Sequence, residues 1–305
     1  MQRRFGTCVF LASRPKFLAA SAAPVLVGSA LGYAAQGQFH TLLFCLALFS
    51  IMVLHAGANM ANDYFDHISG NDWVNKNPTP FSGGSRYIQE GLLSPRATLA
   101  AALVALVFAA IAGLVIVLLT RSVFILLLGL AGMSGGFFYT APPLKLGYRS
   151  TGEVLIGLLF GIGPVYGSYY LQTATLNLTP LLPALIVAVL IFLVILVNEF
   201  ADVDADRAAN KRTLVVCFGV RAGIWIYRVA LIVAYGIAVA QVIASPLLAA
   251  AGWFYLLTLP LAALAIRAVN SSDLTTHGQY LASQITVLLH SIGCLALAAG
   301  FLVAA

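Results

Sequence analysis

Charge is what this chain has least of. Only 9% of its 305 residues are Asp, Glu, Lys or Arg, against 61% hydrophobic, whereas a soluble domain carries about 25% charged residues. This excludes a soluble globular domain and leaves an integral membrane protein. Strand-like alternation that could close a barrel is missing too. Lipid tolerates no unpaired backbone groups, so the spans must be helices. Cysteines are few and scattered: Cys8, Cys45, Cys217 and Cys294 show no Cys-x-x-Cys spacing. They imply neither a disulfide framework nor a thiolate metal site and read as small apolar residues. There is no nucleic-acid motif, and loop Lys and Arg account for the net charge of +6. Arg3 and Arg4 before a short apolar stretch resemble a signal peptide only superficially, because Arg14 and Lys16 cut that stretch short; we expect it to be retained. No linker interrupts the chain, so 1–305 is expected to be a single integral-membrane domain.

Uncharged runs locate the spans. They cover 46 residues between Lys16 and Asp63, 24 between Arg96 and Arg121, 45 between Glu153 and Glu199, and 38 between Arg228 and Arg267. One spanning helix takes about 20. Breaks at Asn177-Leu-Thr-Pro180 and Ser245-Pro246 split the last two runs into hairpins. The expectation is an all-α polytopic bundle of nine transmembrane helices, roughly over 17–36, 40–62, 97–119, 122–141, 152–171, 180–200, 222–244, 247–268 and 280–303. Fifteen of the sixteen Lys and Arg flank one side of these spans, and only Arg121 the other. The positive-inside bias then places the N-terminus in the cytoplasm and the C-terminus outside.

Acidic residues number ten, and seven of them fall in two short stretches. The first follows span two and contains Asp63, Asp66 and Asp72; the second follows span six and contains Glu199, Asp202, Asp204 and Asp206. On a helix Asn59, Asn62, Asp63 and Asp66 share a face, and so do Asn198, Asp202 and Asp206, because residues three and four apart are neighbours. Oxygen-bearing groups crowded at the mouth of an apolar helix are costly unless a cation sits among them. A hard divalent cation such as Mg²⁺ suits carboxylate and amide oxygens. The plain alternative is a solvated, capped helix end. For the metal-free protein, two terms favour replacing Asp206 by Asn. A helix C-terminus disfavours negative charge by about 0.3–1 kcal/mol, and repulsion from Asp202 adds roughly 0.2–0.5 kcal/mol.

Basic residues lie on the same side. The loop after the first cluster holds Gly83-Gly84, a turn whose N–H groups suit a phosphate, followed by Arg86. The loop after span four holds Tyr139 and Lys145, and the loop after the second cluster holds Lys211. Acid clusters bridged by metal, with Lys and Arg around them, suit a diphosphate. An apolar tail would run down between the helices, as in an isoprenyl diphosphate. Loss of diphosphate would give an allylic cation open to attack by an electron-rich ring. Aromatic faces of Tyr64, Phe65, Phe138 and Tyr139 are candidates to stabilise that cation. A cation-coupled transporter is the alternative from another class, although its site belongs near the midplane rather than at one face.

Nine spans, Asn62-Asp-x-x-Asp66 after the second and Asp202-x-x-x-Asp206 after the sixth resemble the UbiA superfamily of membrane prenyltransferases, over essentially the whole chain. Further details resemble its 1,4-dihydroxy-2-naphthoate branch, which serves menaquinone biosynthesis: Arg14-Pro-Lys, Ala-Pro-Val-Leu-Val-Gly at 23–28, Asn-Asp-Tyr-Phe-Asp with Gly70-Asn-Asp72, Gly-Gly-Ser-Arg86, Gln89-Glu-Gly-Leu-Leu-Ser94 and Lys211-Arg-Thr-Leu. Two positions depart from the pattern: Asn210 replaces the usual Gly before Lys-Arg-Thr, and Asn-Glu-Phe the usual Asn-Asn run. The resemblance implies that Asn62, Asp63, Asp66, Asp202 and Asp206 carry Mg²⁺ and the diphosphate. By it, Asn59, Asp72 and Asn198 support them, and Arg86, Lys145 and Lys211 are candidates for diphosphate contact. It implies polyprenyl diphosphate and an aromatic acceptor as substrates, dihydroxynaphthoate first, with 4-hydroxybenzoate, homogentisate or haem as alternatives.

Overall fold

The structure, a computed structural model, describes residues 4–76, 78–270, 274 and 278–305. Its helices are α1 (Phe5–Ala12), α2 (Pro15–Gln36), α3 (Thr41–Ser69), α4 (Asn71–Val74), α5 (Pro95–Thr120), α6 (Val123–Phe137), α7 (Gly152–Gly157), α8 (Gly163–Thr173), α9 (Leu181–Ala208), α10 (Leu214–Phe218), α11 (Val220–Ala244), α12 (Pro246–Leu256), α13 (Leu259–Asn270) and α14 (Gly278–Ala304). A π turn over Leu158–Ile162 joins α7 to α8 in one span. No strand occurs among the described residues.

Seven spans are long and apolar enough to cross a bilayer: α2, α3, α5, α7–α8, α9, α11 and the Tyr280–Ala304 part of α14. An eighth is α12 with α13, bent by 48°. Pro260 sits in the first turn of α13, where its missing N–H stops α12 from running through. The fourth expected span, 122–141, is the 15-residue α6. At 1.5 Å per residue it is only ~22 Å long, short of a ~30 Å hydrocarbon core. A helix stands at each of the nine expected places, but length and composition support crossing for seven, or eight with the bent pair. The Pro142-Pro143 pair bars any continuation of α6, and the turn before it carries Tyr139 inward.

Serine and proline set several starts. Ser94 and Ser245 accept from the N–H groups of Ala97 and Leu248, each with Pro at the next position. α9 is the central helix: Ile186, Leu190, Leu193, Leu196, Val197 and Phe200 are fully buried against α2, α11 and α14. α5 reverses the soluble pattern, with Ala102, Leu106 and Ala109 inward and Val107, Phe108, Ile111 and Leu114 outward, as an integral membrane protein requires. α2 lies close on α8 because Gly28 and Gly32 are bare. A Cβ on Gly28 would fall 2.1 Å from Ser168 Oγ, the small-xxx-small packing of membrane helices. α3 and α9 run on past the expected ends, to Ser69 and Ala208, so both acid clusters stand on ordered helix.

Candidate active site

The last three turns of α3 and of α9 meet around one cavity of about 200 Å³. Asn59, Asn62 and Asp66 line it from α3, Asp72 and Asn75 from α4 and the turn after it, and Asn198, Glu199, Asp202 and Asp206 from α9. Lys211, Arg14 and Tyr139 complete the polar end, while Phe160, Ile191 and Ile195 belong to the apolar end. The fold thus brings the two clusters into a single site.

A lattice of donors holds the carboxylates apart. Asn62 Nδ2 donates to Asp66 Oδ2 at 2.9 Å, and the Tyr148 hydroxyl donates to Asp66 Oδ1 at 2.8 Å. Asn75 Nδ2 donates to Asp202 Oδ1 at 2.8 Å, the Gly83 N–H to its Oδ2 at 3.2 Å. Gly83 and Gly84 have φ of 76° and 77°, a conformation that glycine adopts freely. A Cβ on Gly84 would also fall 2.8 Å from Asp72 Oδ2. The glycine turn therefore puts its N–H on a carboxylate and lies directly against a second one.

Charge is not balanced by protein alone. Lys211 Nζ stands 3.3 Å from Asp206 Oδ1. Burial works against its charge, and Asp206 with Asp66 more than restores it, holding the ammonium well above its usual range. Burial pushes the Asp72 carboxyl up to about 8, with Asp66 and Asp63 adding repulsion. Asp206 Oδ2 and Asn71 Oδ1 are buried with no partner among the described residues. These are hard oxygens short of positive charge. No three His, Cys, Asp or Glu side chains among the described residues converge as a ready-made cage. A cation here would be held by one or two carboxylates and completed by phosphate oxygens and water, as Mg²⁺ sites usually are.

The expected residues divide into two groups. Asn59, Asn62, Asp66, Tyr139, Asn198, Asp202, Asp206 and Lys211 all line the cavity. Asn59 also donates to the Ser13 carbonyl at 3.0 Å, and Asn198 accepts from Ser283 at 2.8 Å. Asp63, Arg86 and Lys145 do not line it. Asp63 is turned to the Arg14 guanidinium and to the Ser85 N–H at 3.2 Å. Arg86 donates to the Asp72 carbonyl. Lys145 Nζ lies 5.1 Å over the Tyr148 ring. Asp204 points to solvent, paired with Arg207. Sequence reasoning missed Tyr148, Asn71, Asn75 and the ion-pairing role of Arg14. The asparagines lay one and two turns beyond Asp66 and were legible as further oxygen and amide groups; Tyr148 carried no signal.

Residues 21–279 match the UbiA prenyltransferase family. The 1,4-dihydroxy-2-naphthoate octaprenyltransferase of Mycobacterium leprae (strain TN) is 32% identical over 262 residues, covering 85% of this chain and 84% of its own. That of Escherichia coli (strain K12) is 33% identical over 211 residues, 68% of this chain and 67% of its own. Among solved structures, a UbiA homolog from Archaeoglobus fulgidus bound to DMAPP and Mg²⁺ superimposes with a TM-score of 0.66 at 14% identity, covering 95% of this chain and 98% of the other. With the family match spanning most of its length, the chain belongs to the UbiA prenyltransferase family.

Proposed function

We propose that this aromatic prenyltransferase moves a polyprenyl group from polyprenyl diphosphate to 1,4-dihydroxy-2-naphthoate, with loss of the acceptor's carboxylate, the step that forms demethylmenaquinone. The observation that carries the proposal is the meeting of Asp66 with Asp202 and Asp206 around one cavity that is polar at Lys211 and apolar at Ile191 and Ile195. A diphosphate head and a hydrocarbon tail need that polarity in that order. The relatives named for the naphthoate reaction support the acceptor, as does the 2-carboxy-1,4-naphthoquinone phytyltransferase of Synechocystis, 28% identical over 214 residues.

In this reading Asp66 on α3 and Asp202 and Asp206 on α9 would hold Mg²⁺, one or two carboxylates to an ion, with Asn62 beside them. The metal supplies charge that offsets carboxylate–diphosphate repulsion and stabilises the leaving group. Asn62, Asn75 and Tyr148 fix the carboxylate orientations through the bonds given above. Lys211 adds a cation where the leaving group gathers negative charge. Phe160, Ile191 and Ile195 keep water from the carbon that becomes electron-poor. Tyr139 presents a ring face to it. Arg86 and Lys145 stand outside the cavity and would act on the diphosphate only as it enters. The fifteen-to-one basic bias supports a site on the cytoplasmic side of the membrane.

Mass spectrometry of products decides the proposal. Purified protein with Mg²⁺, prenyl diphosphates of several lengths and separate acceptors should give prenylated naphthohydroquinone and carbon dioxide. Prenylation of 4-hydroxybenzoate or homogentisate in preference to the naphthoate would refute the acceptor.

A further inference from the structure

The apolar end of the cavity receives two polar side chains that diphosphate chemistry does not use. Its walls include Ala20, Ile156, Phe160, Ile191 and Ile195, and into it come Glu199 of α9 and His55 of α3. Glu199 is 7% exposed, and its Oε2 has no donor among the described residues. Behind it stands Glu153, 1% exposed. Its Oε1 accepts from the Leu214 N–H at 2.6 Å, and its Oε2 also has no donor among the described residues. α7 packs against α9, which brings the two carboxyls near each other. An ionised carboxylate only accepts, so the unpartnered Glu199 oxygen facing the cavity is free to take a proton from a hydroxyl there. The nearest ammonium, Lys211, is committed to Asp206. His55 arrives from another helix. Its Nδ1 meets Ser21 Oγ at 2.6 Å and its ring stands edge-on to Phe160, centroids 4.9 Å apart. Nε2 is the ring nitrogen left for the cavity.

Resting on the naphthoate reading above, we infer that Glu199 is a catalytic residue that takes the proton of the acceptor hydroxyl adjacent to the attacked ring carbon and later returns it. Glu153 positions Glu199, and His55 contacts the second hydroxyl. The chemistry balances. The ring carbon bonds to the first prenyl carbon as that carbon's bond to diphosphate oxygen breaks, the electron pair leaving with the diphosphate. The hydroxyl proton passes to Glu199, and its carbon becomes a ketone. The attacked carbon now bears the prenyl group and the carboxylate, a β-keto carboxylate. Loss of carbon dioxide leaves the bonding pair on the ring as an enolate. The enolate oxygen recovers the proton from Glu199, and the ring is aromatic again with no net proton gained or lost. A carboxyl pair out of water, open on one side to an aromatic slot, suits such a loan.

The test uses the full chain in lipid nanodiscs with Mg²⁺ and geranylgeranyl diphosphate. Two acceptors are compared: 1,4-dihydroxy-2-naphthoate and its 1-methyl ether, which has no proton to lend. Glu199→Gln should lower kcat on the dihydroxy acceptor on the order of 10²-fold, with prenyl diphosphate binding unchanged. Glu199→Asp should recover part of the loss. The wild type on the ether should be as slow as the Gln variant on the dihydroxy acceptor, and the two changes together should be no worse than one. Undiminished kcat in the Gln variant, or losses that multiply, would overturn the role of Glu199 while leaving the naphthoate reading intact. If the wild type prenylates only 4-hydroxybenzoate, the naphthoate reading falls. The same comparison with that phenol and its ether still decides Glu199, because attack beside a hydroxyl needs the same proton acceptor.

Discussion

Asn71 Nδ2 donates to Asp206 Oδ1 at 3.1 Å, a bond across 135 residues that ties the end of the first acid cluster to the second. Both residues are buried. Removing the donor leaves a buried acceptor short, which costs about 1–3 kcal/mol. Asn71→Ala is expected to lower the melting temperature by that equivalent and to cut turnover. Asn71→Asp should be worse on both counts, since it sets a carboxylate against Asp206. Thermal unfolding in detergent and product formation check both.

Asp66 and Asp202 stand on different helices yet line one cavity. Residues that act as a unit lose nothing further once the unit is broken. Asp66→Ala and Asp202→Ala should each cost at least about 100-fold in kcat, the scale of losing one preorganised charge-stabilising group. The double variant should match the worse single one. Losses that multiply would mean two independent sites.

Arg14 and Asp63 form an ion pair that sequence periodicity concealed. Asp63 is 3% exposed at its side chain and Arg14 18%. Removing one partner of such a pair costs roughly 3–5 kcal/mol, while replacing both by apolar groups is often neutral. Arg14→Met should therefore melt early, and adding Asp63→Leu should restore much of the loss. Turnover is expected to stay low in the double variant. Recovery of turnover would make Asp63 a structural residue only.

The bundle and the two clusters were legible because hydropathy and the scarcity of acid are linear signals. The faces of the clusters were legible only in part. Asn62 and Asp63 differ by ~100° around a helix, and that step separates a residue in the cavity from one turned to the N-terminus of α2. No periodicity tells which neighbour each edge of a face will meet. Glu153 was hidden for another reason: it sits 46 positions before Glu199, and only the packing of α7 on α9 makes them a pair. The short α6 was overestimated because apolar content continues to Ala141 while the helix ends at Phe137.

Orientation is open to a direct measurement. A reporter fused after Ala305 should be active only outside the cytoplasm, as the basic bias requires. Activity inside would reverse the assignment of the site to the cytoplasmic face or change the number of crossings by one.

Asp206 shows how burial reverses an expectation built for an exposed helix end. Repulsion from Asp202 and the helix dipole together favour Asp206→Asn by no more than about 1.5 kcal/mol. In the fold Asp206 is 1% exposed and its Oδ1 is 3.3 Å from Lys211 Nζ, whose side chain is 15% exposed. Losing that partner leaves a buried ammonium uncompensated, at roughly 3–5 kcal/mol. The second effect is larger, so Asp206→Asn should lower the melting temperature of the metal-free protein. Lys211→Met in the same chain should bring it back toward wild type, since no charge is then stranded. Neither variant should recover turnover, because the diphosphate loses Asp206 in one and both groups in the other. A single variant that melts at or above wild type would mean that Lys211 reaches water without Asp206, and the pair would then carry none of the stability assigned to it here.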